Sequence, residues 1–181
     1  SLWVIAMSGF ALLVMTAELE EIMSKRINDL MTYLDASHSV FHAVEGLRTI
    51  LEAAGYIRLQ ESGKWELQPG GKYYMTRGGA SIMAFRIPEG RPQGFMMSAS
   101  HSDRPTFKVK ENAEVCGAYT KLLVERYGGM LIAPWLDRPL SIAGRAIVET
   151  PNGTESRLVD IDRDLLMIPN VAIHMNRKAN D

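Results

Sequence analysis

Cysteine is nearly absent from this chain: Cys116 stands alone among 181 residues. A single thiol cannot close an intrachain disulfide, which excludes a disulfide framework and any cysteine-rich zinc site. It fits a reducing compartment, and a cytoplasmic location is expected. An excess of one charge is missing too. Twenty Lys and Arg face 21 Asp and Glu, for a formal charge of -1, so neither nucleic acid nor an anionic membrane surface has a basic footprint to bind. No apolar run is long enough for a bilayer. The stretch from Leu2 to Ala17 falls short of the roughly 20 residues a spanning helix needs, and no Lys or Arg precedes it as in a secretory signal. Residues 1–22 read as an apolar leader of uncertain origin, with Met23 offering a start. A membrane tether through residues 2–17 ranks last among the readings. Internal repeats, Gly-rich phosphate loops and heptads are also lacking, which removes nucleotide-binding and filament classes.

What is present begins with helices. Leu19, Ile22, Met23, Ile27, Leu30, Met31 and Leu34 recur at three and four, which predicts an amphipathic helix over Ala17 to Leu34. Ser37 and Ser39 offer caps for a second helix carrying Val44, Leu47 and Leu51 on one stripe, and Gly55 supplies a left-handed stop. The texture then changes to short β-type runs, "KYYMTR", "SIMAFRI" and "QGFMMSAS", separated by turn signals. The last of these is expected to be a strand that delivers His101 at its carboxyl end, the edge at which open α/β sheets bind ligands. Beyond Pro105, "TFKVKE", "AYTKLLVERYG", "LSIAGRAIVET", "ESRLVDID" and "LLMIPNVAIHM" all read as strands, and "TPNGTE" as a hairpin turn. The fold class is therefore α/β up to about residue 105 and β-rich after it, and a domain boundary is placed there.

With so little cysteine, a metal would have to be held by His, Asp and Glu, and there are four histidines, at positions 38, 42, 101 and 174. His101 and Asp103 are two apart, a spacing that on a strand points both side chains to one face and lets the carboxylate hold the ring nitrogen not given to metal. By itself His-x-Asp is as well read as a surface or core histidine paired with a carboxylate. His38 and His42 are four apart, but Ser37 to Ser39 look like a helix cap and no Glu completes an H-E-x-x-H pattern. His174, within "IPNVAIHM", reads by default as a satisfied core or interface histidine. Trp65, Tyr73 and Tyr74 read as core, and Asp137 with Arg138 as a structural pair. Asn152 heads a glycosylation-like triplet that a hairpin turn explains equally well.

A longer pattern stands behind these residues. In order along the chain, "YLDASHSVFHAVEGL", "WELQPGGKYYMTRGGASIMAFRI", "ASHSDRPTFKVK", "YGGMLIAPWLDRPLSIAGR" and "LVDIDRDLLMIPNVAIHMNR" closely resemble the N-terminal portion of aspartyl aminopeptidases and their vacuolar aminopeptidase relatives. The resemblance runs from about Leu30 to the last residues. It departs where the family usually has prolines and this chain has His38 and Val40, and where the family has Thr-Asp-Ser-Pro and this chain has Ser102 to Pro105. Those departures bear on local rigidity more than on the ligand.

The resemblance implies a zinc-dependent aminopeptidase that removes one N-terminal residue, acidic or neutral, from peptides. It implies a two-zinc α/β peptidase domain, here residues 23–105, interrupted by a β-rich dimerisation domain, here starting with 106–181, that builds dimers and larger assemblies. By the family pattern His101 ligates one zinc, Asp103 orients it, and His174 is lent to a neighbouring subunit's active site, where it helps stabilise the tetrahedral intermediate. The other metal ligands and the general base are not found in these residues. Glu20 and Glu21 are the one adjacent Glu-Glu pair and belong to the solvated face of the first helix. The chain is accordingly read as an N-terminal fragment, inactive alone. The rival reading is a non-catalytic assembly module, in which the β-rich half oligomerises and the histidines hold no metal.

Overall fold

The structure, a computed structural model, describes residues 9–172 and 174–176, with side chains described from residue 19 onward. The readings of residues 2–8 and of 177–181 lie outside that range. Helix α1 spans Gly9–Ala36, so the predicted amphipathic helix extends well to the N-terminal side of Ala17 and passes residue 22 without a break. Its apolar stripe is uncovered: Leu19, Ile22, Met23, Ile27, Leu30, Met31 and Leu34 are all about half exposed. Among its residues with described side chains, only the last turn packs. Tyr33 donates to the Ala43 carbonyl at 3.2 Å, and its ring lies so close to Gly46 that a Cβ there would meet it at 3.2 Å. A glycine lets α1 and α2 approach.

Helix α2, Val40–Ala53, begins as its sequence predicts. Ser39 is the N-cap and accepts from the His42 backbone N–H. The end is equally legible: Gly55 sits at φ 80°, a conformation that costs other residues a clash at Cβ. The face carrying Ala43 and Val44 is buried against a small sheet of β1 (Ile57–Arg58), β2 (Lys72–Arg77) and β3 (Ser81–Arg86), in which β1 runs parallel and β3 antiparallel to β2. Gly78 and Gly79, both at positive φ, close the β2–β3 hairpin as the Gly-Gly signal predicts. Tyr73, Tyr74 and Met75 of β2 are buried, Tyr74 completely, and Trp65 stacks on Phe85 with ring centroids 6.1 Å apart. The two tyrosines are core, while Trp65 and Phe85 are half-buried at its edge.

Beyond Pro105 two hairpins follow, β4 (Thr106–Val115) with β5 (Lys121–Tyr127), and β6 (Leu140–Thr150) with β7 (Gly153–Leu166). A single 3₁₀ turn, Ala133–Trp135, stands between them. The Pro151–Asn152 turn closes the second hairpin, with Thr150 paired to Gly153. Asp137, at φ 54°, donates its N–H to the Ile168 carbonyl at 2.9 Å and accepts from the Asn170 N–H at 2.8 Å. Asp137 therefore ties the segment after β7 to the turn before β6, while Arg138 donates to the Pro134 carbonyl instead. The two are not paired with each other.

Two predicted strands do not form. "QGFMMSAS" is irregular and carries no ladder, and Phe95, Met96 and Met97 are almost fully exposed. Among the described residues no strand lies beside it, and a strand cannot exist without a partner for its N–H and C=O groups. "LLMIPNVAIHM" likewise leaves the ladder after Leu166, apart from a single bridge of Ile168 to Leu136, because Pro169 has no N–H to donate.

A candidate metal-ligand corner

His101 therefore does not end a strand. It lies in an irregular loop, residues 101–105, between the exposed apolar segment and β4, and the loop is held at both sides. Arg104 reaches back to the corner between the helices, its Nη2 donating to the Ser37 carbonyl at 2.5 Å. Ser37 is buried, and its hydroxyl donates to the Tyr33 carbonyl at 2.6 Å. On the other side the β4–β5 register pairs Thr106 with Tyr127, which sets the Tyr127 ring three residues along from Asp103. The Tyr127 hydroxyl donates to Asp103 Oδ2. Gly128, at φ 75°, follows, and a Cβ there would meet Pro105 at 3.6 Å.

The pair that the sequence proposed is in contact. His101 Nδ1 lies 3.1 Å from Asp103 Oδ1 and 2.9 Å from the Asp103 carbonyl oxygen. Two acceptors on one nitrogen call for the proton on Nδ1, which leaves the Nε2 lone pair outward; the imidazole is 82% exposed. Among the described residues Nε2 has no hydrogen-bond partner. The electrostatics agree with that arrangement. The Tyr127 hydroxyl, and after it the His101 ring, hold the Asp103 carboxyl below the usual aspartate range, and the same carboxylate pushes the Tyr127 phenol up.

The remaining histidines are elsewhere. His42 Nδ1 is 2.8 Å from the Ser39 hydroxyl, which fits the capping role, and His38 Nδ1 is 2.7 Å from Asp160 Oδ2 of β7. Their rings are 6.2 Å apart and tilted, so the i, i+4 pair is spent on separate partners. His174 sits exposed in a turn beyond Asn170, not in a core. Glu20 and Glu21 are exposed on α1, far along the chain from the loop. Among the described residues no group of three His, Cys, Asp or Glu could hold a metal ion. The donor chemistry of His101 fits a zinc-ligating imidazole, with a fixed tautomer and an outward nitrogen, but one imidazole is short of the three protein ligands a catalytic zinc keeps.

Arg104, Tyr127 and Asp160 were not visible as site residues in the sequence. Tyr127 becomes a neighbour of Asp103 only through the β4–β5 register, and nothing in "AYTKLLVERYG" announces that register. Asp160 likewise meets His38 across 122 residues of chain.

Residues 33–181 match the family of aminopeptidase I zinc metalloproteases, M18. A protein of Pseudomonas paraeruginosa named "Probable M18 family aminopeptidase 2" is 45% identical over 155 residues, covering 84% of this chain and 36% of that protein. Its counterpart in Clostridium novyi is 40% identical over 162 residues, 86% of this chain and 37% of that protein. Among solved structures, Ape4 in its complex with Nbr1 superposes with a TM-score of 0.76 at 37% identity, covering 84% of this chain and 30% of that one. Chaetomium thermophilum mApe1 gives 0.74 at 35%, covering 82% and 36%. The mApe1 dodecamer of Saccharomyces gives 0.69 at 26%, covering 81% and 36%. The chain thus spans little more than a third of the length of the curated relatives it matches.

Proposed function

The chain belongs to the M18 family of aminopeptidase I zinc metalloproteases, and from that premise we propose that it is the front portion of a zinc-dependent aminopeptidase that removes a single N-terminal residue, acidic or neutral, from peptides. The observation that carries this reading is the His101–Asp103 contact, an imidazole with its tautomer fixed and its second nitrogen outward, in a chain whose relatives bear the aminopeptidase name. His101 would be a zinc ligand and Asp103 its orienting carboxylate. The further ligands, for two ions in the complete enzyme, and the general base would come from outside these 181 residues. Bound zinc supplies Lewis-acid polarisation and an acidified water. The residues present here hold and aim one imidazole, and no further step is assigned to them.

His174 would serve a neighbouring copy's site, helping to stabilise the tetrahedral intermediate. Its exposure, and the anchoring of the preceding segment by Asp137, support a side chain presented outward. A homo-oligomer is proposed with it, in line with the dodecamer that one structural neighbour forms, built through residues 106–181 as the start of a dimerisation domain. Residues 23–105 would open the peptidase domain. No helix among the described residues is long and apolar enough to cross a membrane, and the free Cys116 supports a cytoplasmic location. The assembly-module reading has the weaker support, because an imidazole needs no oriented tautomer to do nothing.

The test uses the complete protein in which this chain occurs, purified and assayed on aminoacyl-anilides with aspartyl, glutamyl and leucyl residues, before and after chelation. Release of the N-terminal residue that stops on chelation and returns with zinc is expected. Full activity after exhaustive chelation, or no activity on any of the three, would overturn the reading.

A further inference from the structure

Asp103 has two carboxylate oxygens with two different partners. Oδ1 faces His101 Nδ1 at 3.1 Å, and Oδ2 accepts from Tyr127, which lies at the end of β5, on the far side of the proposed domain boundary. The Asp103 side chain is 40% exposed, so without Tyr127 water could reach Oδ2 and the carboxylate could turn about its χ angles. A carboxylate that turns leaves the ring held by the Asp103 carbonyl oxygen alone, 2.9 Å from Nδ1. The hydroxyl is not placed by chance: Tyr127 is the last residue of β5, opposite Thr106, and the ladder fixes its Cα relative to the loop that starts β4. The loop's other anchor, Arg104 on the Ser37 carbonyl, belongs to the helical side.

We propose that Tyr127 is a positioning residue for the metal-ligand His101, acting through Asp103, so that the β4–β5 hairpin fixes the ring that the peptidase portion offers to zinc. The proposal rests on reading His101 as a zinc ligand. Partners at one remove from a ligand typically change metal affinity by 10–100-fold. Tyr127 stands one hydrogen bond further out, so the lower end applies, about tenfold. Part of the metal affinity of such an enzyme then depends on a hairpin that lies beyond Pro105, and disturbing that hairpin loosens the metal.

The test uses the complete protein carrying His101→Ala, Asp103→Asn, Tyr127→Phe, and the last two together, with zinc affinity measured by competition against a chromophoric chelator. Tyr127→Phe keeps the ring and the strand pairing, and thermal melting of the metal-free protein checks that the fold is unchanged. The expected result is about tenfold weaker zinc binding in Tyr127→Phe at an unchanged melting midpoint, with the double variant no weaker than Asp103→Asn alone, since both act through one carboxylate. Zinc affinity within twofold of the parent in Tyr127→Phe, while His101→Ala loses a zinc, would overturn the role of Tyr127 and leave the ligand in place. Should His101→Ala keep its full zinc content and affinity, the reading of His101 itself fails, and the two failures are told apart. Additive losses in the double variant would also count against the proposal, because they would mean that Tyr127 acts by another route.

Discussion

Tyr74 is the residue on which the small α/β unit depends most. Among the described residues it is the one large side chain that is completely buried, inserted from β2 beneath α2, and its hydroxyl donates to Glu52 Oε1 at 2.5 Å. Truncation to alanine removes the ring and leaves a cavity under the helix. Aromatic-to-alanine changes in a packed core cost about 3–5 kcal/mol, a large fraction of the 5–15 kcal/mol that holds a typical domain. The hydroxyl alone counts for less. Glu52 keeps its bond from Arg48 Nη1 at 2.6 Å and its side chain is 44% exposed, so water replaces the lost donor and Tyr74→Phe is expected to cost about 0.5–1.5 kcal/mol. The ranking is therefore parent, then Phe, then Ala, with the larger step between Phe and Ala.

Native-state hydrogen exchange followed by mass spectrometry reads this locally, on peptides covering β2 and β3, without requiring the whole chain to unfold as one unit. Tyr74→Ala should bring those amides to nearly unprotected exchange, and Tyr74→Phe should speed them by about three- to tenfold. An unchanged exchange rate in Tyr74→Ala would refute the assignment of this ring as core. Equal losses in Phe and Ala would show that the hydroxyl, and not the buried ring, holds the sheet.

Phe95, Met96 and Met97 stand in solvent and the apolar stripe of α1 is half exposed; the isolated chain should aggregate or self-associate, and light scattering showing a stable monomer would contradict this. Assayed alone, the 181 residues should show no zinc-dependent aminopeptidase turnover, since His101 lacks companions among the described residues; measurable turnover would overturn it. Arg48 holds Glu45 below the ordinary glutamate range, while Tyr74 and then Arg48 do so for Glu52. Carboxyls lowered by folding stabilise above their unfolded pKa and lose that contribution as pH falls through the folded value, so protection of α2 should decline in acid. Arg48→Met should reduce that acid dependence, and an unchanged pH profile would show that the pairs are merely surface contacts.

Legibility followed the range of the physics. Local signals carried far: the Ser39 cap, the Gly55 stop, the Gly78–Gly79 turn and the hairpin at Pro151–Asn152 all rest on a few adjacent residues, and all are present. Signals that depend on a distant partner misled. "QGFMMSAS" has the composition of a strand, but a ladder is a property of two segments, and the described residues offer it no second. The stripe of α1 is amphipathic in sequence, yet amphipathicity states only that a face wants covering, not that this chain covers it. His101 and Asp103 were legible because they are two residues apart. Tyr127 was not, because its place beside them is set by strand register.

The departures from the family pattern show the same principle at the site itself. Proline stiffens a chain by fixing φ, without any partner, and its replacement at His38 and Val40 leaves the turn between α1 and α2 to be held by contacts instead. The structure supplies one at His38 and one at the neighbouring Ser37. His38 meets Asp160 of β7, and the adjacent Ser37 carbonyl accepts from Arg104, itself one of the changed residues of the 102–105 loop. The loop that carries His101 and the corner between the helices are thereby joined by a side chain that a serine could not extend to the same distance. A tertiary link of this kind holds only while the rest of the corner is folded. Zinc affinity in the complete protein should then respond to Arg104→Ser unless His38→Pro is made with it. The paired change should restore what the single one loses, and a double variant as weak as Arg104→Ser alone would show that the two positions do not compensate.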